Sequence, residues 1–79
     1  MHTIKQQWDT YRACCVPADA SPAQVRETKR AVYAGIEIMM RLMRKAGDTK
    51  LTEAESMKML ADIEDEMTEF KNQVVAGTA

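Results

Sequence analysis

The usual carriers of catalysis and metal binding are scarce in this chain. His2 is the only histidine, and its place beside the first residue makes it a poor base for any nucleophile. Cys14 and Cys15 are the only cysteines. Adjacent cysteines rarely form a structural disulfide, so they read as reduced thiols of a cytosolic protein. Without a second histidine or a Cys-x-x-Cys pair, no zinc site can be drawn. The three glycines are scattered, which excludes a glycine-rich phosphate loop. The acids between Asp62 and Glu69 lack the spacing of a calcium loop. These absences argue against an enzyme, a metal site and any cofactor.

Long apolar runs are missing too. No stretch suffices to span a membrane, and the N-terminus lacks the apolar segment of a signal peptide. Large core formers are few: one Phe, one Trp and two Tyr, against seven Met. Methionine fills gaps without specifying a rigid core, and a domain of 79 residues buries only about 60–65% of its unfolded surface. Such a chain often completes its core by oligomerising, and a homo-oligomer is expected. The net charge of −1 disfavours general nucleic-acid binding.

Helix signals fill the remainder. Three capping boxes stand at Thr3/Gln6, Ser21/Gln24 and Thr52/Glu55, with Pro22 suited to a first helical position. They predict helices over 4–15, 22–46 and 53–75. Pro17 should stop the first helix at Val16, because it disfavours helical geometry in the residue before it. Gly47 is expected to close the second helix in the left-handed conformation, and residues 77–79 to fray. The loop of about five or six residues that begins at Gly47 and runs through Leu51 to the Thr52 cap favours antiparallel neighbours. The expected fold is therefore all-α, a single domain over residues 1–79. It has a short N-terminal helix and a long antiparallel helical hairpin.

Periodicity assigns faces to these helices. Ile4, Trp8, Tyr11 and Cys15 form the stripe of the first, with Trp8 as the anchor that docks it onto the second. On the second, Val25, Thr28, Val32, Gly35, Ile36, Met39, Leu42, Met43 and Ala46 share an apolar arc. Gly35 reads as a packing residue that lets another helix approach. On the third, Leu60, Ile63, Met67, Phe70 and Val74 repeat at 3-4-3-4, a short coiled-coil-like seam that must pack on the second helix or on another copy.

Charge is segregated. The second helix is rich in Arg and Lys, whereas Glu53 to Glu69 is mostly acidic. On the polar arc of the second helix, Arg26, Arg30 and Tyr33 follow i, i+4, i+7, with Lys29 alongside. Guanidinium groups hold phosphate or carboxylate in a fork, and a tyrosine ring can stack on a base. Tyr11 and Arg12, contributed by a neighbouring copy, would complete such a site. The bland alternative is a solvated face whose arginines pair with nearby acids.

The residues Ile4 to Arg12, Val16-Pro17, Gln24 to Glu27 and Ala31 to Gly35 resemble a group of small phage- and prophage-encoded helical proteins, mostly of unassigned function. The resemblance covers about half of the chain and carries no catalytic motif. Small phage proteins of this size often inhibit bacterial defence, some by sequestering a nucleotide immune signal and others by covering a host protein. The resemblance thus implies a cytoplasmic protein of an infected bacterium. Its partner would be a nucleotide-derived small molecule or a host defence protein.

Overall fold

The computed structural model describes residues 2–79 and is all-helical, with no strand among them. Helix α1 spans Ile4–Cys15, α2 spans Pro22–Ala46 and α3 spans Glu53–Ala76. The expected boundaries hold to within one residue. Each start is set by its capping box. Thr3 Oγ1 accepts from the Gln6 amide at 3.1 Å while the Thr3 amide donates to Gln6 Oε1 at 2.9 Å. Ser21 and Gln24 repeat the exchange at 3.1 and 3.0 Å, and Thr52 and Glu55 do so at 3.1 and 3.0 Å. Each pair satisfies two amides that would otherwise face solvent alone.

The helix ends differ from one another for physical reasons. Val16 is extended, φ −100° and ψ 126°, as the following Pro17 requires. Its amide still reaches the Arg12 carbonyl at 3.2 Å, and the Ala20 amide closes a turn onto the Pro17 carbonyl at 3.0 Å. At the end of α2 the expectation for Gly47 fails, since Gly77 is the only residue described with a positive φ. Gly47 simply continues the helical bonding, its amide 3.0 Å from the Met43 carbonyl. The turn is made instead by Asp48, whose carboxylate accepts from the Lys50 amide at 2.9 Å while its carbonyl accepts from Leu51 at 3.0 Å. Gly77, expected to fray, caps α3 at φ 76°, and the Thr78 amide reaches back to the Gln73 carbonyl at 2.9 Å.

The chain divides into two compact units, residues 2–39 and 40–79, with the boundary inside α2. In the first unit, α1 lies against the opening turns of α2. Trp8 is 3% exposed, and Val25, Thr28, Val32, Ile36 and Met39 are half-buried along one arc of α2. Thr28 can sit on that arc because its hydroxyl donates to the Gln24 carbonyl at 2.8 Å. In the second unit Ala46 is buried and Leu42, Leu51, Met59 and Ile63 are half-buried. Every residue from 64 to 79 is exposed. A Cβ added at Gly35 would meet nothing within 4 Å among the described residues, so the space for a closely approaching helix is open there.

Candidate ligand-binding face

All six candidate residues belong to the first unit, Tyr11 and Arg12 on α1 and Arg26, Lys29, Arg30 and Tyr33 on α2. Consecutive residues of a helix point 100° apart, and this separates Tyr11 from Arg12. Tyr11 lines a groove of about 360 Å³ whose other wall is Gln24, Glu27 and Thr28. Arg12 lines a second one of about 390 Å³, with Asp9, Pro17 and Val25. The two grooves share Val16, Pro17 and Ala20, the connection that Pro17 forces out of helical geometry. Trp8 and Tyr11 are three residues apart on α1, and their ring centroids are 6.1 Å apart at a 31° tilt. The buried indole thus braces a Tyr11 ring that remains 42% exposed.

The α2 residues are not equivalent. Arg26 is exposed and makes no ion pair or hydrogen bond through its side chain among the described residues. Arg30 approaches Glu27 at 3.5 Å, a weak and solvated pair. Lys29 places its ammonium 5.7 Å from the centroid of the Tyr33 ring, within cation–π range. Tyr33 is half-buried, although the helical arcs place it on the polar side. With part of its surface covered and a cation over its ring, Tyr33 offers a base less free face than Tyr11 does.

The structure therefore joins Lys29 with Tyr33 and Arg30 with Glu27, while Tyr11 and Arg12 face different grooves. Neither of these two grooves gathers a cation together with an aromatic ring. Polar residues that sequence periodicity passed over, Gln24 and Glu27, stand opposite Tyr11. Their signal lay in the capping box, which fixes Gln24 on the first turn and brings Glu27 and Thr28 to the same corner. Chemically the face offers positive charge, hydrogen-bond donors and one open ring, which is equipment for holding an anion. Among the described residues no group of three or more His, Cys, Asp or Glu side chains could hold a metal ion. No helix among them is long and apolar enough to cross a membrane. Cys14 and Cys15 are free and exposed.

Comparison of the chain with protein families, curated proteins and solved structures finds no match.

Proposed function

We propose that this protein is a non-enzymatic binder, of the kind small phage proteins use against bacterial defence, that sequesters an anionic nucleotide-like immune signal in the cytoplasm of an infected bacterium. The observation that carries the reading is Arg26. It is an exposed guanidinium without a counterion among the described residues, one helical turn from Lys29 and Arg30 and in the same compact unit as the open Tyr11 ring. A guanidinium already held by a carboxylate must give up that pair to bind phosphate, whereas a free one forms its fork at no such cost. Arg12 is also without an ion pair among the described residues. Tyr11 is the stacking platform in this reading, and Tyr33 holds Lys29 in place. Because Tyr11 and Arg12 open into separate grooves, the site is completed by a second copy, within a homo-oligomer in which α2 and α3 form an antiparallel hairpin.

The alternative is a helical interaction module that covers a host protein. The exposed Met40, Met43 and Met57 favour it, because flexible thioethers suit adaptable contact surfaces. One screen separates the two readings. Purified protein is melted with cyclic dinucleotides, cyclic mononucleotides and ADP-ribose derivatives. A ligand at 100 times its dissociation constant adds about 2.7 kcal/mol of stability to the parent. The Arg26→Ala variant should show much less of that shift. A flat response to every compound would reject sequestration of these signals and leave the interaction module standing.

A further inference from the structure

The apolar seam of α3 finds no cover within the second unit. Leu60, Met67, Phe70 and Val74 are 44–53% exposed in a helix with no buried residue. Their 3-4-3-4 spacing, with Ile63 between, is a repeat of 3.5 residues, the period of helices wound around one another. Written as a heptad, Leu60, Met67 and Val74 take position a, and Ile63 and Phe70 take position d. The flanks then follow: Glu64 and Lys71 at e, Glu66 at g.

Those three charges have no ion-pair partner among the described residues. Geometry explains why. Glu66 and Lys71 are five residues apart, about 140° around the helix, so they stand on opposite sides of the seam. Glu64 and Lys71 share a side but are separated by about 10 Å of helix rise. Neither pair can form within one α3. Lys58 and Asp62, four apart on the same helix, do pair at 2.7 Å.

We propose that this seam is an interface for the α3 of a second copy. Both ways of pairing two such helices place Lys71 opposite a glutamate of the other copy. In a parallel pair, position g of one helix faces the next e of its partner, which matches Glu66 with Lys71. In an antiparallel pair with Met67 facing Phe70, position e faces e, which matches Glu64 with Lys71. The arrangement is self-complementary: each copy supplies the seam, the acid and the base. The occupant is thus a second copy of this chain rather than an unrelated apolar surface, which would leave all three charges unanswered. The inference is independent of what the Arg26 face binds.

The test is a charge swap read by sedimentation across a dilution series, with circular dichroism verifying that each variant remains helical. Lys71→Glu alone sets like charges against one another across the seam, as does Glu64→Lys combined with Glu66→Lys. Each variant by itself should weaken self-association about tenfold. Mixing the two lets every reversed charge meet its opposite, and the parent mass should return. All three residues are exposed and without an ion pair among the described residues, so their reversal leaves the protomer's folding contacts intact. A parent that sediments as a monomer, variants that keep the parent's association, or a mixture that fails to recover it would each overturn the proposal.

Discussion

Helix α1 has 12 residues and a buried tryptophan, while α3 has 24 residues and nothing buried. The shorter helix is the better anchored. Twelve residues in isolation are marginal in water, so α1 owes its place to Trp8 and to the face of α2 beneath it. The longer helix draws on local devices: the Thr52–Glu55 capping box, the Lys58–Asp62 pair and the Gly77 cap. Each contributes about 1 kcal/mol or less, and none of them covers the seam. Length makes a helix probable, but burial fixes it in a fold.

The sharpest way to break this contrast is to truncate the large apolar residues of the two helices. Trp8→Ala should cost about 3–5 kcal/mol, enough to unfold the first unit of a marginal domain, and the loss should not depend on protein concentration. Phe70→Ala, at a half-exposed position, should cost about 1 kcal/mol in dilute solution and more as concentration rises. Thermal melts over a range of concentrations decide it. A concentration-independent Phe70→Ala penalty equal to that of Trp8→Ala would erase the distinction between the helices.

Next in size is the separation of binding from folding on the first unit. Arg26→Ala should lower affinity for a phosphate-bearing ligand tenfold or more, since hydrogen bonds to charged groups contribute about 1.5–3 kcal/mol. Stability should change by only about 0.5 kcal/mol, because Arg26 is exposed and makes no ion pair among the described residues. Calorimetry beside a melting curve reads both. Unfolding of the variant would assign this guanidinium to the structure and not to a ligand.

The caps give a smaller effect, on both helices. Thr3→Ala and Thr52→Ala should each cost about 1 kcal/mol. The Thr52 cap also has a pH signature, because the Thr52 amide and hydroxyl hold the Glu55 carboxyl below its ordinary value of 4.5. A depressed folded value means that the stabilisation is fully present above about 4.5 and is lost as pH falls through the folded value. The Glu55 carboxyl, followed by magnetic resonance, should titrate below 4.5 in the parent and move upward in Thr52→Ala. Identical midpoints would show that the side chain plays no part.

The smallest effects lie at two glycines that look alike in sequence. Gly77→Ala places a Cβ at φ 76° and should cost about 1 kcal/mol. At Gly47 the nearest atoms to an added Cβ are the Met43 and Arg44 carbonyl oxygens at 3.6 and 3.7 Å, ordinary contacts, and φ is not positive. Gly47→Ala should therefore stabilise by about 0.4–1 kcal/mol through the unfolded chain. Calorimetric melting of the two variants should show shifts of opposite sign.

These predictions mark what was legible in the residues and what was not. Sequence alone determined the three helices and their starts, because capping boxes and the geometry before proline act within four residues and need no distant partner. It also marked Trp8, since one large aromatic on a short apolar stripe must be buried for that helix to persist. The tertiary structure decided the rest. It assigned the left-handed cap to Gly77 and the turn after α2 to Asp48, because both glycines follow helices and spacing cannot choose between them. It left Gly35 open, half-covered Tyr33 with Lys29 at its ring, and turned Tyr11 and Arg12 into different grooves. Helical periodicity records which residues share a face, whereas exposure depends on what else covers that face, and contacts distant in sequence set that.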